Sequence, residues 1–284
     1  MSGQRLEAEA ERDHGGRPST PNGNSVSGQR PEAEAERDHG GRPSAPKRGV
    51  AFFDVDETVI TVKSMFTFLR FWLAEQGDDG TEYARVTDDL KQRARAGAPR
   101  EDINREYYRT YRGVEYAALV AAGQRWFDEF AAGGAAFYAE PVRALRDHAA
   151  AGVRTVLLSG SFAPAIAPVA AAVGADHIIA TEPLLDEHGV LTGEVRKPMI
   201  GAAKGEAVVE YLREHAISVN DTWGYGDHAT DLPFLWLVAR PAYRGDDPKL
   251  IAAARSGTWR LLSDRLGDAE GNEFSDDRKV ASVW

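Results

Sequence analysis

The apolar run Val50-Ala51-Phe52-Phe53 passes straight into Asp54-Val55-Asp56-Glu57, and no other junction in the chain constrains its fold as much. A short apolar run without helical periodicity reads as a buried strand, here over 50–55. Carboxylates beside a core are costly unless they are paired or hydrogen-bonded. A strand ending in two of them either starts an ordinary turn or holds them at a crevice for chemistry.

The same construction recurs twice. "VRTVLL" runs into Ser159-Gly160-Ser161, and "TWGY" runs into Gly226-Asp227-His228-Ala229-Thr230-Asp231. Strands are expected at 153–158, 177–180 and 222–225, with a hairpin over "EPLLDEHGVLTGEV" turning at His188-Gly189. Helices are expected at 64–76, 141–150, 163–173, 202–215 and 232–238, and in "PREDINREYYRTYRG" and "EYAALVAAGQRWFDEFAAGG". Met65, Leu69, Trp72 and Leu73 share one face of the first. Strands alternating with helices imply an α/β, Rossmann-like, doubly wound parallel sheet. Its core is expected over 49–61 and 139–263. Residues 62–138, helical, aromatic-rich and without an obvious strand, form an insertion after the first strand.

The ends of the chain read differently. "SGQRLEAEAERDHGGRPS" at 2–19 returns at 27–44 with one change, Leu6 against Pro31. Two almost wholly polar copies cannot bury a solenoid core, so 1–48 is expected to be a disordered tail. The polar stretch 264–284 is expected to be a loose C-terminal tail. The chain's 284 residues, 43% hydrophobic, suffice for one core and a smaller accessory unit. A net charge of -10 argues against nucleic acid as partner, and the absence of cysteine excludes disulfides and thiolate metal sites. There is no apolar N-terminal block and no run long enough for a bilayer, so no membrane partner is expected and a cytoplasmic location is.

In a doubly wound sheet, reactive groups collect where strands end. Taken singly, an aspartate after a strand caps a helix, Ser-Gly-Ser makes a turn, and a lysine in "GAAKGE" is solvated. Together they say more. Asp54, Asp56, Asp227 and Asp231 can share one crevice only if Lys204 and a divalent cation neutralise them, and hard oxygen ligands suit Mg²⁺. Ser159, the Gly160 amide and Lys204 could then cradle a dianionic phosphate. One carboxylate remains as nucleophile and one as proton donor.

The order Asp-x-Asp-x-Thr at 54–58, Ser-Gly at 159–160, Lys204, and Gly-Asp-x-x-x-Asp at 226–231 resembles the haloacid dehalogenase superfamily. Within it the chain is similar to the phosphoserine phosphatase-like branch (subfamily IB), which carries a helical cap directly after the first motif. The resemblance spans about 49 to 262. It implies an Mg²⁺-dependent phosphatase acting on a small phosphorylated metabolite through an aspartyl-phosphate. Asp54 would be the nucleophile and Asp56 the general acid and base. Asp54, Asp227 and the Asp56 carbonyl would ligate the metal. Ser159, Gly160 and Lys204 would bind phosphate, with Thr58 and Asp231 supporting. A second acid at Asp56 points to phosphate esters rather than haloacids.

The substrate is less constrained. Phosphoserine phosphatases place an acid nine positions after the nucleophile to hold the substrate ammonium; here that position is Lys63. His228 stands where a small residue is common. Both are candidate specificity residues, and Lys63 speaks against phosphoserine. Arg70, Arg105, Arg109 and Arg112, with Tyr107, Tyr108, Tyr111, Trp126 and Phe127, either pack the cap or line a polar mouth. Such a mouth would suit a sugar or cyclitol phosphate. The scarcity of lysine beside arginine, alanine and glycine suggests a GC-rich genome and makes an intermediate of antibiotic biosynthesis a candidate. A phosphoserine phosphatase and a phosphotransferase are the alternatives, and the oligomeric state is open.

Overall fold

In the computed structural model, residues 47–273 are described. The chain runs through β1 (Val50–Phe53), then four helices, α1 (Ser64–Glu75), α2 (Thr81–Arg95), α3 (Arg100–Arg109) and α4 (Tyr116–Ala132). There follow β2 (Phe137–Tyr138), α5 (Ala139–Ala150), β3 (Arg154–Ser159), α6 (Ala163–Val173), β4 (His177–Ala180), and the hairpin β5 (Pro183–Leu185) and β6 (Leu191–Val195). Then come α7 (Ala202–Glu214), β7 (Thr222–Gly226), α8 (Leu232–Leu235), β8 (Arg240–Tyr243), α9 (Pro248–Arg255), β9 (Arg260–Leu261) and β10 (Leu266–Gly267).

The main sheet has the order β4-β3-β1-β7-β8-β9 with every pairing parallel. Parallel strands need both faces covered, and β1 shows how the sequence does this. Ala51 and Phe53 enter one core with Leu157, Val142 and Ile166, whereas Val50 and Phe52 enter the other with Val156, Val208 and Phe234. The chain leaves β1 in one direction to reach β3 and returns on the other side to β7. The reversal of strand order between them opens a crevice at their carboxyl ends. This is the Rossmann-like, doubly wound core.

The four helices α1–α4 occupy the loop between β1 and β2. The two strands of this connection are tied to each other, with Thr61 N–H donating to Ala136 O at 3.0 Å and Tyr138 N–H to Val59 O at 3.0 Å. Phe68, Tyr108 and Tyr111 each meet the ring of Phe162, which follows the Ser159 loop, at 5.4–5.6 Å between centroids. Helix α4 lies on α6 so closely that a Cβ at Gly123 would overlap the Pro164 carbonyl.

Several elements differ from the sequence expectation. Helix α2 is strongly charged and so carries little apolar signal in the sequence, although Tyr83, Val86, Thr87 and Leu90 are buried at helical spacing. Strands β2, β8, β9 and β10 and helix α9 also lie outside the elements expected from the sequence. They are short, and strands of two to four residues carry almost no periodicity. The expectation of a loose tail from 264 is corrected as far as Glu273. Leu266–Gly267 pairs with β2, Gly267 bridges Glu273, and Arg143 meets Glu273 at 3.1 Å. The repeat at 2–19 and 27–44 and the stretch 274–284 lie outside the described residues. Of the expected 1–48 tail, Lys47 is placed by an ion pair with Asp176, and Arg48 N–H donates to Gly152 O at 3.0 Å. No helix among the described residues is long and apolar enough to cross a membrane.

Gly123→Ala is expected to destabilise the protein by about 1–3 kcal/mol, because α4 and α6 must separate to admit the methyl group. A fall in the urea midpoint at constant slope would show it, and an unchanged midpoint would contradict the packing.

Candidate active site

The crevice is floored by the ends of β1 and β7. Asp54 is the residue after β1, and its N–H donates to Tyr225 O at 2.9 Å, so the last rung of the β1–β7 ladder fixes its backbone. Lys204, in the first turn of α7, donates to Asp54 Oδ1 and to Asp231 Oδ1, each at 2.6 Å. All three are nearly inaccessible: Asp54 is 6%, Lys204 3% and Asp231 1% exposed. Asp231 Oδ2 accepts from the backbone N–H groups of Asp227 and His228 at 3.2 Å, which closes the Gly-Asp-x-x-x-Asp loop on itself. A Cβ at Gly226 would stand 2.8 Å from Asp231 Cβ, so this loop admits only glycine there without a shift.

The electrostatics of this cluster are unbalanced. Burial raises the Asp54 carboxyl well above its ordinary range against the pull of Lys204, and Asp231 and Asp227 add to the rise. Asp227 is pushed up to about 7, first by burial and then by Asp231 and Glu57. Burial also opposes the charge on Lys204, yet Asp231 and Asp54 outweigh it and its pKa is raised. One ammonium thus stands among three carboxylates and pairs with two of them. Oxygens of Asp54, Asp227 and Asp231 lie within 4.8 Å of one another. A hard, all-oxygen donor set with surplus negative charge fits a small divalent cation such as Mg²⁺.

The remaining expected residues surround this floor. Thr58 is fully buried and its Oγ1 donates to Asp227 Oδ1 at 3.1 Å. Asp56 lines the same pocket, and its Oδ1 is buried without a hydrogen-bond partner among the described residues. Burial pushes the Asp56 carboxyl up to about 6, with Ser64 opposing. Ser159 Oγ accepts from Ser161 N–H at 3.0 Å, which leaves the hydroxyl proton for another acceptor. The Gly160 carbonyl accepts from Asn104 Nδ2 at 3.0 Å, Tyr108 Oη at 3.3 Å and Thr181 Oγ1 at 2.8 Å. Lys63 and His228 stand in the pocket wall: Lys63 pairs with Glu57, and Arg100 Nη1 reaches His228 Nδ1 at 3.5 Å. Glu57 has a φ of 60°, rare outside glycine, and its carbonyl accepts from Arg244.

The expected polar mouth is corrected. Arg105 donates to Val195 O at 3.2 Å, and Arg109 and Arg112 meet Glu194 at 3.6 and 3.5 Å, so these cations tie α3 to the β5–β6 hairpin. Tyr108, Tyr111, Trp126 and Phe127 are buried in the core, and Arg70 is exposed outside the pocket. Only Tyr107 of that group lines the pocket. Arg100, Asn104, Met65, Phe66, Leu90 and Ile103, which the sequence reading missed, do line it. Arg100 carried a signal, since a cation in the first turn of a helix opposes the helix dipole, as Lys204 also does.

Residues 51–235 match the family of haloacid dehalogenase-like hydrolases. The chain is 28% identical over 220 residues to the inhibition of morphological differentiation protein of Streptomyces azureus, over 76% of this chain and 78% of that one. A probable phosphatase of Mycobacterium tuberculosis is 26% identical over 226 residues, 76% of this chain and 75% of that one. A solved structure of unknown function from Bordetella pertussis Tohama I aligns with a TM-score of 0.68 and 26% identity, over 76% of this chain and 99% of that one. An apo phosphoserine phosphatase aligns with a TM-score of 0.54 and 17% identity, over 77% and 95%, a likeness of fold. The chain belongs to the haloacid dehalogenase-like hydrolase family, and it is an enzyme of the phosphatase kind.

Lys204→Met leaves Asp54 and Asp231 buried without their counter-charge and is expected to cost about 3–5 kcal/mol of stability. Adding Asp54→Asn removes one of the stranded charges and should restore part of that loss. A double variant as unstable as the sum of the two single ones would show that the pair is not energetically linked.

Proposed function

We propose that the protein is an Mg²⁺-dependent phosphatase that hydrolyses a small phosphomonoester through an aspartyl-phosphate on Asp54. The observation that carries this reading is the placement of Asp54 against Lys204 and with an oxygen within 4.8 Å of the carboxylates of Asp227 and Asp231, in a pocket that Asp56 and Ser159 also line. Lys204 holds Asp54 Oδ1, and the other Asp54 oxygen has no hydrogen bond among the described residues, so one oxygen is oriented and the other can attack. Phosphoryl transfer asks chiefly for such positioning and charge stabilisation.

In the first step an Asp54 oxygen attacks phosphorus in line, and the ester P–O bond breaks with its electron pair going to the leaving oxygen. Asp56 gives that oxygen a proton; its burial favours the protonated form that a general acid needs. In the second step Asp56 takes a proton from water, which attacks the phosphorus of the acyl phosphate and frees Asp54 and inorganic phosphate. The Ser159 hydroxyl, the Gly160 amide and Lys204 hold the non-bridging oxygens throughout. The residues that would hold Mg²⁺ are Asp54, Asp227 and the Asp56 carbonyl, with Asp231 beside them, and the bound ion supplies charge that offsets repulsion between nucleophile and phosphate.

Of the candidate substrates, phosphoserine finds little for its ammonium. The carboxylate at the rim, Glu57, is engaged by Lys63. A sugar or cyclitol phosphate keeps only Tyr107 of the aromatic and arginine side chains that suggested it. A phosphotransferase would use the same first step and pass the phosphoryl group to an acceptor other than water.

Asp54→Asn is expected to abolish phosphate release by several orders of magnitude while leaving the circular dichroism spectrum unchanged. Near-normal turnover by that variant would sink the nucleophile assignment. Removal of divalent cations with chelator is expected to abolish release, and added Mg²⁺ to restore it. Activity that persists in chelator would exclude the metal-dependent site.

A further inference from the structure

The phosphate end of the pocket is polar and charged; the wall away from it, Lys91 and Arg100 apart, is largely apolar. Met65 and Phe66 from α1, Leu90 and Ala94 from α2, Ile103 from α3 and Ile200 before α7 line a cavity of about 280 Å³ with the acidic floor at one end. The polar side chains on this wall are largely engaged. The Tyr107 hydroxyl donates to Met65 O at 2.5 Å and lies 2.8 Å from the Tyr111 hydroxyl, and Asn104 Nδ2 is held by the Gly160 carbonyl. The exception is Asn104 Oδ1, buried without a partner among the described residues. It belongs to the side chain bound to Gly160, so the free acceptor sits at the phosphate end.

The rim has a sign. Arg100, whose Nη1 reaches His228 Nδ1 at 3.5 Å, has no acidic partner among the described residues, and Lys63 is balanced by Glu57. A substrate ammonium here would meet the Arg100 guanidinium, and a cluster of hydroxyls would meet mostly carbon. Burying a hydroxyl without a hydrogen bond is unfavourable, whereas each buried methylene is favourable.

We infer that the substrate is a phosphomonoester whose alcohol carries a short apolar alkyl or aryl body, seated against Phe66, Leu90 and Ile103 while the phosphate meets Asp54. This rests on the phosphatase reading and narrows it to a substrate class. The small cavity means that only the part of the body next to the phosphate is enclosed; specific ligand pockets run from ~300 Å³ upward.

The test is phosphate release by the full chain with Mg²⁺ over n-alkyl monophosphates from ethyl to octyl, together with phosphoethanolamine, glycerol 3-phosphate and phenyl phosphate. For enclosed methylenes, kcat/KM is expected to rise roughly fourfold per carbon and then level off as the chain reaches the mouth. Phosphoethanolamine, which matches propyl phosphate except for an ammonium in place of a methyl, should fall at least about tenfold below it, from the cost of desolvating a charge. Ile103→Gln should flatten the chain-length slope, with thermal unfolding confirming that the variant is folded. A flat or falling series in the unsubstituted protein, or a preference for phosphoethanolamine or glycerol 3-phosphate, would overturn the inference and leave the phosphatase intact. No phosphate from any ester would instead overturn the phosphatase reading itself.

Discussion

The arrangement depends on one buried ammonium. Lys204 holds Asp54 and Asp231 at 2.6 Å each, and those two carboxylates follow different strands, β1 and β7. Without it, the end of β1 and the loop after β7 would place like charges beside one another in a low-dielectric crevice, where their repulsion is far stronger than in water. Lysine suits the task because its ammonium has three donors on a flexible stem and can reach both acids from the first turn of α7. The position is poor for a cation by the helix dipole alone. The two carboxylates outweigh that, which is how a locally unfavourable residue becomes the centre of the site.

A second coupling joins the inserted helices to the Ser159-Gly160 loop after β3. The Gly160 carbonyl takes hydrogen bonds from Asn104 and Tyr108 on α3 and from Thr181 after β4. Beside it the rings of Phe68, Tyr108 and Tyr111 close on Phe162. The loop that would grip the phosphoryl group is thus held from both sides. Movement of α3 would break two of its three bonds, so the helices that wall the pocket and the Ser159-Gly160 loop are expected to shift together.

Much of this was legible in the sequence, and the reason is physical. The strands of the core are apolar runs that end abruptly in Asp54, Ser159 and Asp227, and buried sheets demand such runs. Helix α6 and strand β4 fall where periodicity and run length place them. The pocket wall was not legible. Met65, Leu90 and Ile103 look like ordinary face residues of amphipathic helices, and nothing in their spacing separates a residue facing another helix from one facing a ligand. The arginines of α3 and the turn after it misled for the complementary reason: Arg105, Arg109 and Arg112 lie near Arg100 and Asn104 in sequence, but their side chains meet β6. The C-terminal pairing of β10 with β2 escaped notice because a two-residue strand is defined by its partner, not by itself.

The turn that places Asp56 depends on a residue far along the chain. Glu57 sits in the left-handed region, a conformation that costs a non-glycine residue free energy and persists only where its surroundings determine it. Its carbonyl is bound by Arg244, whose buried guanidinium also donates to Asp264 Oδ1 at 2.8 Å and lies 3.4 Å from the centre of the Tyr138 ring. One planar cation therefore joins the turn after Asp54, the strand returning from the inserted helices, and the segment leading to β10. A lysine could not make these contacts at once, because the fork and the flat face of the guanidinium are both in use. The acid pair at the end of β1 is thus positioned by two cations, Lys204 from within the crevice and Arg244 from behind the turn.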